Sequence, residues 1–148
     1  MEGEMKTSRV RVGTIVILAL MISACAAMKS SRAPEADLGK IATMYVVKLP
    51  ADGRGINRVI ADQLNLMGYK ATTGPETDTP QDVDAIVTYQ DRWTWDITMY
   101  MLRLNIQIRD PKTSAAWAEG ESYRPSLQRK SPSEMAKEVL ESIFPGKK

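Results

Sequence analysis

Histidine is absent from this sequence, and cysteine and phenylalanine each occur once. Without histidine, the commonest general base and zinc ligand is missing. A single cysteine, Cys25, cannot form an intramolecular disulfide, so the chain must fold by its apolar core alone. No nucleophile elbow or phosphate-binding loop is present, and Gly53-Arg54-Gly55 has the pattern of a helix entry. We therefore expect a protein that is not an enzyme and needs no cofactor or metal.

The charge balance argues against a second class of function. The 148 residues include 20 basic and 18 acidic side chains, which leaves a net charge of +2. A nucleic-acid-binding protein needs a basic stripe or patch on its surface. We therefore expect no nucleic-acid partner.

The first 25 residues have the composition of an export signal. Residues 5–11 are basic, residues 12–21 are almost entirely apolar, and Ile22-Ser23-Ala24-Cys25 follows. A basic start, a short apolar run and small residues at a cut site make a secretory signal. The apolar run is shorter than the about 20 residues that a membrane-spanning helix needs.

Ile22-Ser23-Ala24-Cys25 resembles the lipobox of bacterial lipoproteins, in which small residues precede an obligatory cysteine. The resemblance implies that residues 1–24 are a signal peptide and that Cys25 is lipidated and begins the mature chain. Ala26, not aspartate, follows the cysteine, which in Gram-negative lipoproteins points to the outer membrane. We therefore expect a protein anchored by lipid on Cys25 to the periplasmic face of the outer membrane.

The remainder divides into a tether and one domain. Residues 25–40 are small, polar and of mixed charge, as is typical of a lipidated tether. Residues 41–148 alternate between β-rich and helix-periodic segments, which predicts a single α+β domain with the order β-α-β-β-β-β-α. We expect a two-layer sandwich with one mixed sheet and two helices on one face. The predicted strands are 41–49, 69–72, 84–93, 97–109 and 115–123, and the predicted helices lie between Gly55 and Gly68 and between Ser131 and Pro145.

This element order, over residues 41–144, resembles that of small envelope lipoproteins such as the lipopolysaccharide-assembly lipoprotein. It is also similar to the N-terminal domain of the Tol-system periplasmic protein. What the resemblance implies is a non-catalytic domain of the bacterial envelope.

The stretch TYQDRWTWDITMY, residues 88–100, carries two carboxylates, Asp91 and Asp96. Strand alternation places Asp91 between Tyr89 and Trp93 on the apolar face, where an unpaired carboxylate is costly. We interpret Asp91 as a structural carboxylate bound by turn amides, an indole or a tyrosine hydroxyl; a functional carboxylate in a cleft is the alternative. Asp96 is expected to close the turn through the backbone two residues on. A glycosidase pair is conceivable, but we expect the two to face different ways.

The same stretch holds two candidate binding groups. Trp93 and Trp95 should cap the open end of the core, and Trp95 could belong to a binding edge. Met99 and Met101 are expected on the polar face, where two thioethers beside a tryptophan could hold Cu(I), or could simply pack against aromatic rings.

The predicted polar sheet face is the other candidate site. In the strand 97–109, the residues expected to point inward are Tyr100, Leu102, Leu104, Ile106 and Ile108, and those expected outward are Arg103, Asn105, Gln107 and Arg109. Together with Arg92 and Trp117 they would combine guanidinium and aromatic groups, a mixture enriched at interaction hot spots. A solvated sheet face with no partner is the alternative.

The sequence thus predicts a non-catalytic, lipid-anchored envelope lipoprotein that binds a protein or glycolipid partner. The alternative is a periplasmic lipoprotein that binds a small ligand or metal between the hairpin and the helices. A gap near Trp95 and the acidic loop 73–82 would favour that alternative.

Overall fold

The computed structural model describes residues 26–147. The predicted signal peptide, residues 1–24, and the predicted lipidation site, Cys25, lie outside the described residues. Within residues 26–147, no helix is long and apolar enough to cross a membrane.

Six strands form one mixed sheet with two helices on one of its faces. The strands are β1 (Ala27–Arg32), β2 (Thr43–Val47), β3 (Lys70–Gly74), β4 (Ala85–Asp96), β5 (Thr98–Arg109) and β6 (Ala116–Tyr123), and the helices are α1 (Ile56–Leu66) and α2 (Pro132–Ile143). The order across the sheet is β1-β6-β5-β4-β2-β3. β2 runs parallel to both of its neighbours, and the other pairs are antiparallel. The predicted α+β class and arrangement are confirmed.

The core lies between the sheet and the two helices. Both helices bury the apolar stripe that their periodicity predicts, because i, i+4 and i+8 positions share one helix face. α1 contributes Ile56, Ile60 and Leu64, α2 contributes Met135, Val139 and Leu140, and β5 contributes Leu104, Ile106 and Ile108. Local signals set the helix ends: Gly68 adopts φ +90° after α1, and Ser131 and Glu134 form the predicted capping box of α2.

The sixth strand, β1, corrects the predicted tether over residues 25–40. Residues 27–32 pair antiparallel with β6 and become an edge of the sheet. Arg32 donates a hydrogen bond to the backbone oxygen of Ile143 over 2.9 Å, and Leu38 is buried in the core. An exposed edge strand is held by backbone pairing and needs no apolar alternation, so the polar sequence AMKSSR gives no strand signal.

A β-bulge interrupts the β4–β5 pair and corrects the predicted faces of β5. Arg92 lies opposite Arg103, whereas Trp93 lies opposite Met101, so Leu102 is the extra residue. A bulge shifts the alternation by one residue. Met101 is therefore 1% exposed in the core, while Met99 is 46% exposed. The expectation that Tyr100 and Leu102 share the inward face is wrong, as is the expectation that Met99 and Met101 lie on the polar face.

Glu138 of α2 ties that helix to the end of β6. Its carboxylate accepts hydrogen bonds from Arg124 over 2.7 and 2.8 Å and from Ser122 over 3.3 Å, and it forms an ion pair with Lys130. These groups are partly buried, so loss of the carboxylate leaves positive charge and a hydroxyl without their partner.

We expect Glu138→Ala to lower the free energy of unfolding by about 2 kcal/mol, measured by denaturant unfolding. Glu141→Ala is the matched control, because Glu141 lies exposed on the same helix and its nearest cation, Lys137, is 4.0 Å away. That exposed pair should contribute at most about 0.5 kcal/mol. Equal effects of the two substitutions would contradict a structural role for the Glu138 network.

Candidate binding surfaces at the hairpin tip and the outer sheet face

The β4–β5 hairpin extends past the helices and exposes apolar side chains at its end. We call residues 95–99 the hairpin tip. Trp95 and Met99 lie opposite each other on the face that the helices cover elsewhere. They are nevertheless 69% and 46% exposed, and Ile97 between them is 86% exposed. Clustered exposed apolar groups mark contact surfaces, so the tip is a candidate binding site.

The turn itself is strained. Ile97 has φ +61° and joins Asp96 to Thr98 without the glycine or asparagine that a tight turn prefers. A β-branched residue in the left-handed region is rare, and such strain persists only where the surroundings hold it. The sequence predicts a wider turn here, whereas the structure turns at this single residue.

Arg129 supplies the restraint that holds the tip. Its guanidinium donates to the hydroxyl of Thr98 over 2.7 Å and to the backbone oxygen of Asp96, and it lies 4.2 Å above the ring of Tyr100. The Asp96 carboxylate is 3.4 Å from Arg129 and accepts a hydrogen bond from Ser126. Asp96 therefore binds the segment after β6, and the prediction that it closes its own turn is not what the structure shows.

Asp91 and Trp93 form a separate pair at the base of the hairpin. The Trp93 indole donates to the Asp91 carboxylate over 2.6 Å, and the Arg54 guanidinium lies 4.2 Å above the indole ring. The indole partner agrees with the structural interpretation of Asp91, although this carboxylate is half-buried and not deep in the core. Asp91 and Asp96 lie on opposite faces of the hairpin and bind different partners, an arrangement unlike a glycosidase pair.

Asp52 is the most heavily hydrogen-bonded carboxylate near the hairpin, and its role was not predicted. It accepts hydrogen bonds from the backbone amides of Arg54 and Gly55 over 2.8 Å, from the amide of Asn57 over 3.1 Å and from the Tyr89 hydroxyl over 2.7 Å. Burial raises the pKa of Asp52, but these four hydrogen bonds outweigh it, so its pKa lies below the usual value. Burial, and then the bond to Asp52, raise the pKa of Tyr89. The cluster caps the start of α1, which makes it structural.

The face of the sheet opposite the helices, the outer sheet face, carries a pair of arginines. Arg92 on β4 lies directly across from Arg103 on β5. The Arg103 guanidinium is 3.6 Å from Glu121 and 5.6 Å from the ring centre of Tyr123. No hydrogen bond or ion pair within residues 26–147 involves the exposed Arg92 side chain. Like charges directly across a strand pair are destabilising, so an anionic group placed here would be bound favourably.

Arg109, at the far end of β5, is already engaged. Its guanidinium donates to the hydroxyl of Thr88 over 3.2 Å, to the backbone oxygen of Ser114 over 3.0 Å and to the side-chain oxygen of Gln107. Arg109 therefore holds the β5–β6 turn against β4. Of the three predicted arginines, the structure brings Arg92 and Arg103 together and separates Arg109 from them.

Trp117 lies at the same far end, at a second bulge opposite Ile108 and Arg109. It is half-buried, packs against the core and borders a hollow with Ile41 and Asp84. The predicted binding residues thus fall into four places: Trp93 at the base of the hairpin, Trp95 at its tip, the arginine pair, and this far end.

An open groove with a volume of about 720 Å³ lies on the outer sheet face. Its walls are β2, β4 and the acidic loop at Pro75–Thr77, with Arg109 and Asp110 at one side. The hydroxyl of Tyr45 donates a hydrogen bond to the backbone oxygen of Pro75 in this loop over 2.9 Å. The groove adjoins the acidic loop, but it is at the end of the sheet away from Trp95, so it is not the gap that the small-ligand alternative requires. Residues 26–147 contain no cluster of three or more carboxylates that could hold a metal.

Neither a protein-family model nor a curated protein matches this sequence. Solved bacterial structures share its fold. PelC from Paraburkholderia phytofirmans, solved as a dodecamer, has a TM-score of 0.57 at 12% identity, over 81% of this chain and 96% of PelC. A PDZ domain protein from Parabacteroides distasonis has a TM-score of 0.53 at 13% identity, over 83% of this chain and 36% of that protein. TolB from Acinetobacter baumannii has a TM-score of 0.47 at 14% identity, over 82% of this chain and 32% of TolB. At these identities the similarity to PelC and to the PDZ domain protein establishes the fold alone.

Proposed function

We propose that this chain is a non-catalytic lipoprotein of the bacterial envelope that binds an anionic protein or glycolipid partner on its outer sheet face. The observation that carries the proposal is the cross-strand pair of Arg92 and Arg103 on the sheet face that neither α1 nor α2 covers. Guanidinium groups suit carboxylates and phosphates because they can donate two parallel hydrogen bonds. The nearby ring of Tyr123 adds an aromatic group of the kind enriched at interfaces.

The lipid anchor is the second part of the proposal, and the sequence Ile22-Ser23-Ala24-Cys25 supports it. Ala26 is the first described residue, and β1 begins one residue later at Ala27. A lipid on Cys25 would therefore hold the domain close to the membrane with almost no intervening tether. The periplasmic face of the outer membrane is the location we propose for it.

One candidate for the protein partner is a further copy of the chain. PelC, whose chain is matched over 96% of its length, was solved as a dodecamer. The two edge strands described here, β1 and β3, leave backbone groups available for pairing. Repeated contacts between two different surfaces of one chain close into a ring when the rotation permits.

Crosslinking in intact envelopes tests the outer sheet face. We expect Arg92→Ala/Arg103→Ala to reduce the crosslinked product by at least about tenfold, because two charge-assisted contacts of about 1 kcal/mol or more are lost. The double variant should keep the wild-type free energy of unfolding within about 0.5 kcal/mol, since both side chains are exposed. Products spaced at multiples of the chain's own mass would identify a second copy as the partner, and other masses a different protein or glycolipid.

The matched control is Arg58→Ala/Lys137→Ala, which removes the same charge from exposed positions on the two helices. It should leave the crosslinked product unchanged. If both double variants reduce crosslinking equally, the net charge and not the outer sheet face governs capture. If neither double variant reduces crosslinking, the partner binds a surface other than the outer sheet face.

A further inference from the structure

Exposed apolar side chains concentrate at one end of the domain. Besides Trp95, Ile97 and Met99 of the hairpin tip, Leu127 is 83% exposed. Leu127 lies in the short helical turn Ser126–Gln128, and Ser126 of that turn is bonded to Asp96 of the tip. Four of the six large apolar side chains described as exposed are therefore gathered here, the others being Met28 and Leu66. Scattered exposed apolar residues need no explanation, but a gathered group does.

The chain enters the domain at this same end. The backbone amide of Ala26 donates a hydrogen bond to the side-chain oxygen of Gln128 over 3.2 Å. Ala27 lies opposite Tyr123, the last residue of β6, from which the chain runs on to Leu127. Ala26, to which a lipidated Cys25 would be joined, therefore lies beside the turn that carries Leu127.

The charge at the tip is neutralised. Asp96 is the single ionisable side chain among residues 95–99, and Arg129 pairs with it at 3.4 Å. Arg129 also binds Thr98 and stacks on Tyr100, so its own charge is held against the hairpin. A segment whose carboxylate is paired with a guanidinium can enter the headgroup region of a bilayer at a much lower free-energy cost than a segment whose carboxylate is unpaired.

We propose that the hairpin tip and Leu127 insert into the surface of the phospholipid bilayer that holds the lipid on Cys25. This inference rests on the proposed lipid anchor, and it adds a second membrane contact that fixes the orientation of the domain. Tryptophan favours the interface between headgroups and acyl chains because its ring is apolar and its N–H is polar. Ile97, Met99 and Leu127 supply the apolar surface that enters beside it. Arg92 and Arg103 lie in the same row of the sheet as Tyr123 and Ala27, set back from the tip.

Quenching of tryptophan fluorescence by brominated lipids tests the contact. The lipidated protein is reconstituted in vesicles of phosphatidylethanolamine and phosphatidylglycerol with bromine on the acyl chains. An interfacial segment reaches about 5–10 Å into the headgroup and acyl boundary, so bromine on the acyl chains should quench the fluorescence of Trp95. Trp95 is one of three tryptophans, and we therefore expect about a third of the total emission to be quenched. Trp95→Phe should abolish that quenched part.

Trp117→Phe is the matched control. Trp117 lies at the opposite end of the sheet, about 30 Å from Trp95 along β5 at ~3.3 Å per residue. Its replacement should leave the quenched part of the emission intact. Quenching that survives Trp95→Phe, or that is absent in wild type, overturns the proposal. A photo-crosslinker at position 97 that captures a protein in envelopes and no phospholipid also overturns it.

Palmitate labelling of the same preparation separates this proposal from the anchor on which it rests. Labelled protein without quenching at Trp95 overturns the tip contact and leaves the lipid anchor standing. Unlabelled protein that floats with the vesicles and shows Trp95-dependent quenching overturns the anchor and supports the tip contact. Unlabelled protein that neither floats nor is quenched overturns both.

Discussion

Replacing Cys25 by serine is expected to release the protein from the membrane. The thiol is the single group in this sequence that can accept a thioether-linked lipid, because no other cysteine exists. Residues 22–25 place it directly after a short apolar run and two small residues, the pattern of a processed signal. The Cys25→Ser chain should carry no palmitate, and on fractionation it should appear in the soluble fraction and not in the membrane pellet.

The size of this effect depends on the tip contact. If the hairpin tip also enters the bilayer, a fraction of Cys25→Ser should still sediment with membranes, and Trp95→Phe should reduce that fraction further. Ala26→Ser is the control for the region around the cut site, and it should retain palmitate labelling. Equal labelling of wild type and Cys25→Ser would show that the chain is not a lipoprotein.

Asp52→Ala is expected to destabilise the domain by about 3 kcal/mol at neutral pH. Asp52 is 9% exposed and accepts four hydrogen bonds, three of them from amides at the start of α1. The substitution leaves those amides and the Tyr89 hydroxyl without their acceptor in a site that water reaches poorly. Urea unfolding measures the loss, and Asp62→Ala, on the exposed side of the same helix, should change stability by at most about 0.5 kcal/mol.

The pH dependence gives an independent check on Asp52. Its pKa is lowered below 3.8 in the folded protein, so the unfolded state binds the proton more readily. The stabilisation is therefore fully present above the unfolded pKa and is lost as the pH falls through the folded pKa. The stability difference between wild type and Asp52→Asn should be constant above about pH 5 and should shrink below about pH 4. A difference that does not change with pH would show that Asp52 acts through packing alone.

The sequence by itself determined the features that depend on local chemistry. Gly68 ends α1 because its missing Cβ permits φ +90°. Ser131, Pro132 and Glu134 start α2 because each satisfies or removes an amide of the first turn. Apolar periodicity identified the buried stripes of both helices and of β5 from Leu104 to Ile108, and these gave the α+β sandwich.

Only the tertiary structure decided how these pieces meet at the two candidate surfaces. β1 has a polar sequence and forms because its backbone pairs with that of β6. No local sequence pattern encodes this pairing. The bulge at Leu102 turns Met99 and Met101 to the face that the helices cover, where Met101 is buried, whereas Met99 stays exposed because it lies past the helices. Arg129 lies 33 residues from Asp96, and Ala26 lies 102 residues from Gln128, so their hydrogen bonds arise from chain topology. Contacts at such separations depend on the folded path of the chain, and for that reason the sequence indicated Trp95 but not that it lies at the same end of the domain as Ala26.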